Sequence, residues 1–462
     1  LQYYFTFLIF SYISLLFNEN NALNFITMAI RKNAASLSST ERINYVNAVK
    51  KLKTSPSNFT PPTMSRYDDF VYVHMQAMLT LKILDQTKPV TNANLDPNFG
   101  MRMPMWAHRC PAFFPWHREL LYQFEKELQR VSGSPDLGIP YWDWSMDQNK
   151  AGVPWLDDLM GGDGNNGPVT TGPFAGNANW PLTLSEDGQD HLIRGFGLDG
   201  PFNRLPTPAE VNATLGVTTY DTAPWSDAPS LATFRNQMEG WHVPPESTLP
   251  IGMHNLVHVW VGGPNGTMQP STSPNDPVFF LHHANVDRLW AVWQQRNPAV
   301  AHYLPAADLP GQPGQGLNSP MTFYDPALSS TPPWADPPAT PAKVVDHHGL
   351  GYQYDYETAS PTEFRQAVMM TSAKHLRAMK PHDHFKVHLE DLLEGAPLTD
   401  EWTGNSANFS IEEAFKDAIG KAPTDLPTDY FRYTITEIGY EEGGFTEIKN
   451  LFVKIKRANI KS

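Results

Sequence analysis

The chain is poor in cysteine: Cys110 is the only one in 462 residues. No intrachain disulfide can form, and thiolate-rich metal sites are excluded. One unpaired thiol fits a reducing compartment, although a protein without disulfides can also be secreted. Positive charge is scarce too. Lys and Arg number 34 against 48 Asp and Glu, a formal net charge of −14, and no long basic cluster occurs. That pattern excludes nucleic acid and anionic membrane surfaces as expected partners and mildly disfavours anionic substrates. Long hydrophobic runs are almost absent. Residues 1–17, LQYYFTFLIFSYISLLF, are apolar and uncharged but short for a membrane span, and they include Gln2, Ser11 and Ser14. They lack an initiator Met, a basic leading region and a small-residue cleavage site. Met28 opens MAIRKNAASLSSTER, which reads as a natural start. On that reading residues 1–27 are upstream sequence and the protein is cytoplasmic; if they act as a signal, it is secreted. No solenoid-type repeat is visible.

What is present is a hydrophobic content of 41%, enough for one large core plus a smaller domain. The 42 prolines imply long, ordered connections. Residues 36–53 read as a capped helix in which Ser39 precedes Glu41 and the apolar pattern Ile43, Val46, Val49. Further helices are expected over 67–84, from about 115 to 131, at 230–240, around 252–261 and at 279–296. Residues 148–230 and 303–345 are rich in Gly, Asn, Pro and Asp and read as loops. GLGYQYDYE (349–357) looks like a closing strand. YFRYTITEIGY (430–440) and KNLFVKIKR (449–457) alternate apolar and polar positions and read as strands.

Six histidines form two triplets. His74, His108 and His117 make the first; the last two lie in HRCPAFFPWHREL. His254, His258 and His283 make the second, in GMHNLVHVWVGG and NDPVFFLHHANVDRLW. His254 and His258 are four apart, so a helix projects both from one face. His108 and His117 suit one position on a loop and one inside the next helix. Three neutral imidazoles with open positions suit copper, and two such sites facing each other suit O2 chemistry rather than hydrolysis. Helices donating inward to a buried metal pair are a known use of a bundle. A lone His in an apolar helix is usually a satisfied core residue, and HxxxH alone is weak. No carboxylate sits at an obvious bridging position, which argues against a dinuclear zinc hydrolase.

The stretches HRCPAFFPWHRELLYQFEKELQ, PYWDW, FRNQMEGW, MHNLVHVWVGG and PNDPVFFLHHANVDRLWAVWQ closely resemble the tyrosinases, the type-3 copper enzymes, in the style of the short bacterial members. The resemblance spans roughly residues 29–357. It implies a mainly α fold whose four-helix bundle core holds a dicopper site, with long loops. Residues 28–357 would be the catalytic domain and 358–462 a small, partly β C-terminal domain. In several relatives such an addition covers the active site. It implies two copper ions per chain, O2 as co-substrate and small phenols as substrates. Monophenols would be hydroxylated at the ortho position and o-diphenols oxidised to o-quinones. One copper would take His74, His108 and His117. The other would take His254, His258 and His283, with His282 a neighbour rather than a ligand.

The resemblance also bears on the neighbours. Glu239 and Asn255 would order a water that helps deprotonate a monophenol; Glu246, in the insertion before His254, is a rival. The bland alternatives are a helix-end charge and a simple cap. Phe279, one turn before His283, would wall the dicopper cavity. Met268, ten residues after His258, would give an apolar rim at the pocket mouth. Asp287 and Arg288 read as a structural ion pair or as groups orienting imidazoles. Many fungal and plant relatives carry a Cys two residues before the second histidine, crosslinked to it. Trp106 stands there, so no crosslink is expected. His382, His384 and His388 could form a small extra metal site, but surface histidines are the simpler reading. Competing functions are a catechol or o-aminophenol oxidase without monophenol hydroxylation, a haemocyanin-like oxygen carrier, and a storage protein that binds no copper.

Overall fold

The structure, a computed structural model, describes residues 28–59, 64–80, 100–102, 105–244, 247, 249–325, 333–358, 398–406, 433–443 and 448–458. It divides into two compact units, Leu1–Asp355 and Tyr356–Ser462. The main helices of the first are α1 (Ser39–Thr54), α2 (Arg66–Met78), α3 (Phe113–Ser132), α4 (Pro208–Leu215), α5 (Phe234–Glu239), α6 (Met253–Gly262) and α7 (Val278–Arg296). Its strands are short: β1 (Ala29–Arg31), β2 (Leu79–Thr80), β3 (Gly100–Met101), β4 (Gly167–Pro168), β5 (Ile193–Arg194) and β6 (Tyr352–Tyr354). The unit is mainly α, as expected. None of its described helices is long and apolar enough to cross a membrane.

Local signals explain the helix ends. A capping box opens α1, but its cap is Ser38, not Ser39, because Glu41 then stands three positions in and reaches back to the Ser38 N–H. Ser65 and Asp68 do the same for α2. α2 stops at Met78 rather than continuing to residue 84: Leu79 is extended and pairs with Met101 across β2 and β3. Gly133, at φ 75°, ends α3 in the left-handed conformation that glycine adopts without strain.

Aromatic packing assembles the bundle. Phe124 of α3 stacks on Phe280 of α7 with ring centres 3.5 Å apart, and Phe70 of α2 meets Phe124 edge-on at 5.2 Å. Phe114 of α3 stacks between Phe234 of α5 and Trp290 of α7. Each such pair adds about 0.5–1.5 kcal/mol beyond its area burial. The closing strand β6 runs parallel to β1, with Ala29 opposite Tyr352. Both strands hold Asp287 of α7: Arg31 pairs with it at 3.1 Å, and the Tyr352 and Tyr354 hydroxyls donate to it. Arg118 of α3 pairs with the same carboxylate. Burial pushes the Asp287 carboxyl up, but Arg118 and Arg31 outweigh it and hold it at about 2.

Asp287 and Arg288 therefore do not pair with each other. Successive residues on a helix do not face one another, and Arg288 turns to Asp143 at 3.0 Å and Asn285 at 2.8 Å. The 148–230 region carries few regular elements, yet it is tied to the core. Trp180 Nε1 donates to the Asn275 carbonyl at 2.8 Å. Arg194 grips both oxygens of Asp276, at 2.7 and 2.8 Å, with both side chains fully buried.

The second unit contains an antiparallel sheet in the order β7 (Leu398–Ser406), β9 (Ile448–Ala458), β8 (Tyr433–Gly443). β7 was not expected: LTDEWTGNS has little apolar alternation to mark it.

Candidate metal centre

The helices bring the two triplets together in the interior. His74 projects from α2, His117 from α3, His254 and His258 from α6, and His283 from α7. His108 lies on the loop before α3, next to Arg109, whose φ is 57°. All six are buried. In the first group the His74 and His108 rings lie 5.1 Å apart and His108 and His117 4.8 Å apart. In the second the His254 and His258 rings are 4.5 Å apart, and His254 and His283 4.9 Å apart. The groups face each other. His117 stacks on His283 at 4.3 Å, and His108 lies 5.8 Å from His254. The donor atoms within each group are close enough to share one ion.

Main-chain carbonyls fix the ring directions. The Nδ1–H of His74 donates to the Ser271 carbonyl at 2.6 Å, that of His117 to Phe113 at 2.7 Å, and that of His258 to Met268 at 2.7 Å. His254 Nδ1 lies 3.0 Å from Asn255 Oδ1 and 3.3 Å from the Glu239 carbonyl. A proton held on Nδ1 leaves the Nε2 lone pair free for a metal. Burial lowers every one of these imidazoles: His74 to about 3, His258 to about 4, and the other four well below 6.5. They are neutral imidazoles at neutral pH.

The unpartnered atoms test the fit to a metal. Nε2 of His74, His117 and His254 is buried without a hydrogen-bond partner. Such orphans cost about 1–3 kcal/mol each; a cation satisfies them. His258 Nε2 and His283 Nε2 lie 3.3 Å apart. Imidazole binds a divalent first-row ion at about 2.0 Å, so two nitrogens on one tetrahedral ion stand roughly 3.3 Å apart. The donor set is all nitrogen in both groups, and copper heads the affinity order for such sites. His282 is also within the second group, fully buried, with both nitrogens unpartnered. Its ring stacks on His254 at 5.2 Å.

The neighbours divide. Phe279 is buried against both groups, 5.0 Å from the His74 ring and 4.1 Å from His283. Met268 is not at a pocket mouth. It is fully buried, and its contribution is the carbonyl that holds His258. Glu239 is fully buried; one oxygen pairs with Arg235 at 3.0 Å and the other accepts the Arg109 N–H at 2.5 Å. Burial raises its pKa against the pull of Arg235. Asn255 turns Oδ1 to His254, while its Nδ2 is buried without a partner. Cys110 is buried and free, and its thiol is pushed up by burial. Glu246, His382, His384 and His388 lie outside the described residues. The positioning carbonyls of Ser271 and Met268 had no sequence signal, because a carbonyl belongs to every residue.

A family profile described as the common central domain of tyrosinase matches residues 64–296. The chain is 41% identical to a tyrosinase of Streptomyces glaucescens over 323 residues, covering 69% of this chain and 97% of that one. It is 36% identical over 348 residues to the grixazone synthase of Streptomyces griseus subsp. griseus, covering 71% and 99%. Among solved structures, a mutant polyphenol oxidase from Thermothelomyces thermophila is 30% identical, covers 58% of this chain and 70% of its own, and gives a TM-score of 0.41. The chain belongs to the tyrosinase family, as a copper-dependent enzyme that uses O2 to oxidise small phenols.

Proposed function

We propose that this chain hydroxylates monophenols at the ortho position and oxidises o-diphenols to o-quinones. In this reading His74, His108 and His117 hold one copper ion, and His254, His258 and His283 hold the other. The observation that carries it is the pair of facing all-histidine groups in which Nε2 of His74, His117 and His254 is buried without a hydrogen-bond partner. Copper bound there supplies the electron transfer between phenol and O2. The protein keeps the imidazoles neutral, aims them through carbonyls, and walls the site with Phe279. His283 is taken as the ligand because its Nε2 stands 3.3 Å from His258 Nε2 and its ring faces His117 of the other group at 4.3 Å, while the His282 ring also lies 4.9 Å from His258.

Monophenol hydroxylation needs a place for the phenol proton. Asn255 Nδ2 offers a buried donor without a protein partner, beside the main chain of Glu239. The Glu239 carboxylate accepts from Arg235 and from the Arg109 N–H, and the Trp241 side chain also bears on it. A water held by Asn255 and Glu239 would receive that proton. Replacing Asn255 by Ala should lower monophenol turnover by on the order of 100-fold while leaving o-diphenol oxidation nearly intact. Rates on tyramine and on its catechol, after aerobic copper loading, decide this. An equal fall in both rates removes the water-holding role.

The C-terminal residues 358–462 are read as a cover over the phenol site. Their own compact unit and sheet support a separable segment. Limited proteolysis near residue 358 should raise catechol turnover several-fold; unchanged turnover after clean cleavage counts against the cover.

A further inference from the structure

One short segment serves both histidine groups. Met268 and Ser271 are three residues apart, yet the first holds His258 and the second holds His74. The segment has little regular structure of its own beyond the single 3-10 turn Ser273–Asn275. Its place must come from what it is tied to. At its start, the Thr267 N–H donates to the Ile193 carbonyl and the Ile193 N–H to the Thr267 hydroxyl, each at 2.9 Å. At its end, Asp276 is gripped by Arg194. Between these anchors stands Glu186. Its carboxylate accepts the Ser271 hydroxyl, and the Ser271 and Thr272 N–H groups act on it as donors that offset burial.

We propose that Glu186 is a positioning residue for both metal sites at once, clamping the segment whose carbonyls aim His74 and His258. The physical need is specific. The ring torsion of histidine is broad, so helix packing sets where each imidazole lies but not how it is turned. A carbonyl that drifts turns the Nε2 lone pair away from the ion. Because one segment carries both carbonyls, loosening it weakens a ligand of each metal together. A fault in a single helix would weaken one.

The inference rests on the reading of His74 and His258 as copper ligands. Its test is copper titration of the full-length apo protein against a competing chelator, alongside apo melting temperature. The variants are Glu186→Gln, Ser271→Ala and Ser271→Thr. Glu210→Gln serves as the control: it breaks the capping box of α4, which no part of the site uses. Glu186→Gln and Ser271→Ala should each weaken both copper-binding steps about 10-fold, the low end for loss of an orienting partner. Ser271→Thr keeps the hydroxyl and should restore them. Glu210→Gln should lower the melting temperature without moving either step. Wild-type affinities in Glu186→Gln, weakening of one step only, or an equal fall in the control would overturn the proposal. A wild-type chain that takes up fewer than two coppers would instead overturn the ligand reading.

Discussion

Helices α2, α3, α6 and α7 carry five of the six paired histidines, whereas residues 184–197 and 267–277 contribute none of them. Yet the second pair of segments decides where two of those rings point. The helices are joined by stacked aromatics such as Phe124 on Phe280, which tolerate small slides. The segments are joined by directional bonds: a bidentate ion pair, paired N–H groups and a carboxylate clamp. Packing delivers ligands to a neighbourhood; hydrogen bonds turn them. A dicopper site needs both, since each ion is shared by residues far apart in sequence.

The comparison breaks most sharply at a ligand. His283→Ala should lose one copper per chain and at least about 100-fold in catechol turnover, more than an orienting partner costs. His282→Ala should keep both coppers. Metal analysis of the two purified variants checks this, and the opposite pattern would exchange their roles.

Acid should act next, through the helices. The buried histidines have folded-state pKa values below those of the unfolded chain, about 3 for His74 and about 4 for His258. Below pH 6.5 the unfolded chain binds more protons, so their contribution is full above that pH and is lost as pH falls toward 3–4. Each costs about 1.4 kcal/mol per pH unit in that window. Urea titrations of apo protein between pH 7.5 and 5 should show stability falling steeply; a flat profile would mean the rings are not held neutral. Bound copper should also leave as the imidazoles protonate.

The segments are tested at Arg194. Replacing it by Leu strands Asp276 as a buried, unpaired carboxylate, a loss of about 3–5 kcal/mol. Apo stability in urea reports it. A loss under 1 kcal/mol would show that the loops hold their place without this pair.

Much of the site was legible from residues alone. The spacing of His254 and His258 matches a helical turn, and α6 supplies that turn. The strong periodic patterns of α3 and α7 located those helices to within about two residues. What was not legible is long-range. Glu186 and Ser271 are 85 residues apart, and Arg194 and Asp276 are 82 apart; no local period links such pairs. Met268 read as a side chain at a rim because sequence displays side chains, while its part is played by a carbonyl. Asp287 and Arg288 read as an ion pair or as groups orienting imidazoles, but the helix turns them apart, Asp287 to Arg118 and Arg31 and Arg288 to Asp143.

The sequence by itself determined the chemistry: six histidines in two helical contexts, no thiolate set to compete, and the motifs of a copper phenol oxidase. Those follow from residue identity and short spacing, which a chain carries before it folds. The tertiary structure alone decided how the rings are aimed, that the Ser271 and Met268 carbonyls hold His74 and His258, and that Glu239 is locked between Arg235 and the Arg109 N–H. Orientation depends on hydrogen bonds between distant segments, and those partners meet only once the core has packed.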